Sequence, residues 1–189
     1  RVAVNLSGIR KENVCRGDVL CAPDSLRPTR MLDVRLQNLR DSKRTIESGS
    51  RLHLYHGAAA RLARVVLLDC DVLRPGESCY AQLHLSEDLA ARQGDRFVVR
   101  FYSPLETIGG GVILDEHPYR HKRHDEGVLA ALAMRENGSD EEKIVQAISA
   151  CGADGMAFAT LCARFDEEEE SMKKMLASLC ARGKIVALS

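Results

Sequence analysis

The sequence predicts a multi-domain β plus α protein: an antiparallel β-barrel or sandwich in front, and a small winged-helix domain behind. Three observations predict it. Apolar residues alternate with polar ones in short runs through the first two thirds, as in Leu32, Val34 and Leu36. Turn residues separate those runs at a spacing of about ten residues. After the stretch 117–124, rich in His and Arg, the apolar residues recur at helical spacing instead.

The elements follow in chain order. Val2, Val4 and Leu6 alternate, so residues 1–23 read as a separate β piece, closed by the linker signals Pro23-Asp24 and Arg27-Pro28. Strands are expected around Leu32 to Leu36, at Leu52 and Leu54, and over the apolar run from Leu62 to Leu68. Others are expected over residues 80–85, 97–101 and 112–114. Gly17-Asp18, Ser48-Gly49, Pro75-Gly76 and Gly94-Asp95 supply turns. Val128, Leu129, Leu132 and Ala133 mark a helix stopped by Asn137-Gly138. Ser139 with Glu142 is a capping box, and it opens a helix whose buried stripe is Ile144, Val145 and Ile148. Residues 157–165 form a second short helix. Asp166 with Glu169 reads as another capping box, before a helix carrying Met172, Met175, Leu176 and Leu179. Residues 184–188 read as one strand. Three helices and a strand make a winged helix whose wing lacks its second strand. The expected division is 1–23, 24–116, 117–138 and 139–189.

Composition narrows the function classes. The 189 residues contain no Trp and only 4% aromatics, so the core must be aliphatic. No apolar run reaches the roughly 18 residues of a membrane span, and the first residues lack the apolar region of a signal peptide. The chain starts with Arg1 and not Met, as expected of a piece of a longer protein. Seven cysteines include no CxxC pair, so they read as mostly buried, reduced thiols rather than a zinc ribbon. Net charge is zero but unevenly spread. Residues 1–64 hold 13 Lys/Arg against 6 Asp/Glu, and residues 127–189 hold 7 against 10. A basic front half suits a polyanion; an acidic rear half does not.

Several motifs stand out. Gly109-Gly110-Gly111 lies inside a strand pattern, where it marks a barrel-corner bulge or a binding loop. The loop before it contains Ser103, Glu106 and Thr107. His56-Gly57-Ala58 ends a strand in small residues that would let a partner dock closely, although a lone His at such a rim is commonly structural. Asp69 and Asp71 read as a solvated turn. His117, His121 and His124 have the spacing of one helix face, but the cations among them oppose a metal and favour a basic patch. No GxSxG, HExxH or P-loop occurs, so no catalytic set is expected within this chain.

These pieces together resemble a known family. Arg1 to Ile9 with Arg16-Gly17-Asp18-Val19-Leu20 resembles the end of domain II of translational GTPases of the elongation factor Tu type. Leu73-Arg74-Pro75-Gly76, Ala81-Gln82-Leu83 and Gly94 to Arg100 resemble their domain III, a β-barrel. The ending Ser103 to Gly111, the turn Tyr55-His56-Gly57 and the appended winged helix resemble the selenocysteine-specific elongation factors, the SelB family.

The resemblance implies delivery of selenocysteinyl-tRNA to the ribosome at recoded UGA codons, in the cytoplasm and without a membrane. It implies that GTP and magnesium belong to a GTPase domain outside this sequence, so this fragment carries no cofactor and is no enzyme. It implies that further winged helices, also outside it, hold the selenoprotein messenger hairpin, with this one as a spacer. The tRNA T-stem would meet the turn His56, Gly57 and Ala58 and the loop Ser103, Glu106 and Thr107, with Arg61, Arg64 and Arg100 nearby. The other reading is a winged-helix nucleic-acid-binding regulator, or a protein-interaction module, with a β sensor domain. The acidic run 166–170 at the start of the last helix opposes the regulator, because it repels phosphate.

Overall fold

Alternating apolar residues become strands where neighbouring strands take up their backbone groups, and the front of this chain supplies those neighbours. The computed structural model describes residues 3–23, 25–101, 106–165 and 167–187. The expectations at Val2, Ser103, Asp166 and Leu188 fall outside these residues.

Among the described residues eight strands follow in order: β1 (Thr29–Asn38), β2 (Ile46–Glu47), β3 (Arg51–His56), β4 (Ala59–Leu67), β5 (Val72–Leu73), β6 (Ser78–Leu89), β7 (Arg96–Arg100) and β8 (Thr107–Asp115). Six of them close into an antiparallel barrel in the order β1-β6-β4-β3-β7-β8, while β2 and β5 pair separately. The barrel, and not the sandwich, is therefore the correct alternative. Leu32, Val34, Leu36, Leu52, Leu54, Val65, Leu83, Val99 and Ile113 are fully buried inside it. This is the aliphatic core that the lack of aromatics demanded.

The three glycines of β8 stay in register with both neighbours. Gly110 lies opposite Val98 on β7 and Gln37 on β1. A side chain at Gly109 or Gly111 would drive into the carbonyl oxygen of Gln37 or Arg35. The close approach is thus to the backbone of the neighbouring strands. The irregularity on this edge falls beside the glycines, between the Val99↔Gly109 and Arg100↔Thr107 pairs.

Two sequence expectations fail at the ends. Residues 3–23 form no strand among those described; they contain one short 3-10 turn, Lys11–Asn13. Val4, Ile9, Val19 and Leu20 stay exposed, because alternation makes a strand only when a sheet lies alongside. At the other end, residues 184–187 are not a strand either, and among the described residues no strand lies beside them to pair with. The helices do form: α1 (Glu126–Asn137), α2 (Asp140–Ala150), α3 (Phe158–Phe165) and α4 (Glu169–Ala181). Ser139 and Glu142 make the expected capping box, with the Ser139 N–H 2.8 Å from Glu142 Oε2. The last helix begins at Glu169 behind an N-cap, Glu168, whose side chain makes no capping bond.

Ile144, Leu161, Met172 and Leu179 bury a small core among α2, α3 and α4. Leu132 of α1 packs with Leu68 and Leu114 on the barrel wall. Around that seam Tyr80 donates its hydroxyl to Glu136 at 2.7 Å, and Arg135 pairs with Asp115. The cysteines are all free thiols, but only Cys79 is buried, so the expectation of mostly buried thiols holds for one of the seven.

Candidate nucleic-acid interface

Strand register decides which cations share a surface. Arg51 lies opposite Arg64, Arg64 opposite His84, and His53 opposite Arg100. Directly opposed residues stand on one face of a sheet. Their strand neighbours Leu52, Leu54, Ala63, Leu83 and Val99 are fully buried, so these basic residues point out of the barrel. Tyr55 stands on the same wall, with the Arg100 guanidinium 5.8 Å from its ring centre. Burial lowers the pKa of His84, and the nearby charges of Arg120 and Arg64 push it down further. His84 therefore contributes a neutral ring among the arginines at neutral pH. The described outward positions of β3, β4 and β7 contain no Asp or Glu. The acids on β6 are Glu87, 3.5 Å from Arg61, and Asp88, held by Arg30 at 2.7 Å.

The residues nominated from sequence do not form one cluster. His56, Gly57 and Ala58 make the tight β3–β4 turn, with Gly57 at φ +53° and both Gly57 and Ala58 exposed. The His56 ring is 2.9 Å from Asp95 Oδ2, in the turn before β7. Asp95 also accepts the Arg92 N–H at 2.8 Å. Val19, Leu20 and Leu26 line a cleft with His56 and Asp95, so the chain preceding the barrel lies against this rim. Arg61 lies opposite Leu54, whose side chain is in the core. It turns along the rim to donate to the Asp88 carbonyl at 3.0 Å, and stands 3.5 Å from Glu87. Arg61 is consequently a rim strut, whereas Arg64, three residues on, faces outward. At the other end of β7, the Phe101 N–H donates to the Glu106 carbonyl at 2.9 Å, and Thr107 is exposed at the start of β8. That loop and the His56 turn occupy opposite rims, because β3 ends where β7 begins.

Arg51, His53 and His84 escaped the sequence reading, whereas Arg120 lies in the stretch 117–124 that it took for a basic patch. A signal existed for the first two: Arg51, His53 and Tyr55 alternate with the buried Leu52 and Leu54. The stretch 117–124 is not helical, since α1 starts only at Glu126, so His117, His121 and His124 do not share a helix face. His121 reaches Asp33 instead, at 2.7 Å.

Comparison with known proteins decides the family. Residues 33–120 match the family model for the beta-barrel domain of the selenocysteine-specific elongation factor. A selenocysteine-specific elongation factor of Desulfomicrobium baculatum is 32% identical over 93% of this chain and 28% of its own length. The chain belongs to the selenocysteine-specific elongation factor family. Another factor of that name, from Haemophilus influenzae, is 28% identical over 74% of the chain and 22% of its own length. Elongation factor Tu 2 of Streptomyces avermitilis is 30% identical over 59% of the chain and 29% of its own length. The chain thus spans about a quarter of the length of these relatives. The matched region 33–120 runs past the end of β8 to Arg120, so the segment carrying that arginine belongs with the barrel of this family.

Proposed function

We propose that the chain is part of a cytoplasmic, GTP-dependent elongation factor that delivers selenocysteinyl-tRNA to the ribosome, and that its barrel wall docks the tRNA backbone. The observation that carries this reading is the acid-free row Arg100, His53, Arg51, Arg64 and His84, flanked by Arg120. Arginine forks suit phosphate, and a row of them across several strands can follow a backbone without reading bases. RNA duplexes are recognised mainly by such shape, phosphate and 2′-OH contacts.

In this reading residues 1–23 are the end of a preceding domain, residues 24–116 the barrel, and residues 139–189 a winged-helix spacer joined through 117–138. The spacer makes no contact with tRNA. Its last helix opens with Glu169 and Glu170, which hold Lys173 at 3.9 and 3.1 Å. GTP and magnesium act in a separate GTPase domain of the longer protein, and the messenger hairpin is read by further winged helices. Gly57, Ala58 and Thr107 remain contacts at the edges of the docked stem, His56 holds its turn in place through Asp95, and Arg64 and Arg100 lie at the stem's centre.

The test is tRNA binding by the chain, measured as a function of salt. Each phosphate contact contributes close to one unit of slope. Arg64→Ala should weaken binding and reduce that slope by about one. An unchanged slope in both Arg51→Ala and Arg64→Ala would move the docking surface elsewhere.

A further inference from the structure

The link between β4 and β6 brings together three groups that sequence spacing keeps apart. Asp69 and Cys70 follow β4, and Cys79 is the second residue of β6. One carboxylate oxygen of Asp69 and the two sulfurs lie within 4.8 Å of one another. Cys79 points into the barrel from its place opposite Leu36 and is 1% exposed. Cys70 and Asp69 are half-buried, and all three line one cleft open to solvent.

The arrangement is braced. The Leu68 N–H donates to the Tyr80 carbonyl at 2.9 Å, and the Tyr80 N–H returns a bond to Asp69 Oδ1 at 3.0 Å. Those two bonds fix Asp69 and Cys70 beside Cys79. The intervening loop is anchored as well. Asn38 donates through its backbone to Glu77, accepts from the Gly76 N–H, and donates through Nδ2 to the Leu73 carbonyl. Asp69 Oδ2 stands 4.0 Å from an Arg35 guanidinium nitrogen.

We propose that Asp69, Cys70 and Cys79 form a binding site for a single thiophilic divalent cation of the zinc type. Cysteine sulfurs and an aspartate oxygen are all zinc donors, and thiolates select zinc over magnesium or calcium. Three protein donors beside an open cleft leave the fourth tetrahedral position to water. Burial raises both thiols' pKa, so they are neutral when no metal is bound. Metal entry therefore displaces two thiol protons to solvent, and the net charge of the loaded site is −1, facing Arg35 and Arg123. The site ties the end of β4 to β6 across the loop that holds β5.

The experiment uses the full chain, reduced and freed of metal, with Cys15 and Cys21 replaced by Ala to remove the exposed thiols. Cobalt(II) is titrated as the spectroscopic probe, followed by competition with zinc. One equivalent should produce a thiolate-to-cobalt absorption band that zinc abolishes. Cys70→Ser should remove the band. Asp69→Asn, which keeps the Tyr80 contact, should weaken binding about tenfold or more. Because Cys79 is in the core, Cys79→Ser is read only alongside its melting curve. No band at stoichiometric cobalt, or a band that survives Cys70→Ser, overturns the proposal. A Cys70–Cys79 disulfide that, once reduced, binds neither metal overturns it too.

Discussion

His121 Nε2 stands 2.7 Å from Asp33 Oδ2, tying the segment that leaves the barrel to the first barrel strand. Gln82 completes the clasp: its amide donates to Asp33 Oδ1 at 2.9 Å and to the Tyr119 carbonyl at 2.8 Å. Asp33 is 1% exposed. Burial raises its pKa, against the opposing hydrogen bond from Gln82 and the charge and hydrogen bond of His121, while Asp115 adds to the rise. The folded chain therefore holds the Asp33 proton more tightly than the unfolded one. That contribution to stability is full below the ordinary carboxylate range and is lost as pH climbs through the raised value. Asp33→Asn stays neutral throughout. Its stability relative to the parent should improve between about pH 4 and pH 7. Denaturant unfolding at both pH values checks this, and a difference that does not change with pH would refute it.

The bond between His56 and Asp95 assigns that imidazole a structural task. His56→Ala should lower stability by about 1 kcal/mol, the worth of an ordinary hydrogen bond. Its tRNA-binding salt slope should match the parent's. A slope reduced by about one with an unchanged melting temperature would instead make His56 a phosphate ligand.

Arg61 and Arg64 are near neighbours in sequence and opposites in structure. Arg61→Ala should lower the melting temperature, because it removes the donor to the Asp88 carbonyl. It should leave the salt slope intact. Arg64→Ala should do the reverse, because Arg64 is exposed on the outer wall. Parallel melts and salt titrations of the two variants separate these outcomes.

At Gly110 a Cβ would come within 2.5 Å of the Phe97 carbonyl oxygen. Gly110→Val should therefore destabilise the barrel by about 1–3 kcal/mol, as β7 and β8 are pushed apart. A thermal melt unchanged from the parent would mean that the strands yield without strain.

Much of the fold is written in local pattern. Alternation at Leu32, Val34 and Leu36 identifies a strand because side chains of a strand alternate faces whatever it pairs with. Ser139 and Glu142 announce a helix start because the capping box is closed within four residues. The same locality misleads at the ends. Val4 and Leu6 alternate without becoming a strand, and residues 184–187 have no partner strand among the described residues, since a strand needs hydrogen bonds from elsewhere in the chain.

By itself, the sequence determined the β front, the helical rear, the aliphatic core and the family resemblance. Only the tertiary structure decided that the barrel closes, and that Arg51, Arg64 and His84 stand side by side while Arg61 turns to the rim. It also decided that His56 meets Asp95, and that Cys70 and Cys79 meet across a loop. Each of these depends on register between strands distant in sequence. A shift of one residue in pairing would send every such side chain to the opposite face, and no local spacing encodes that choice.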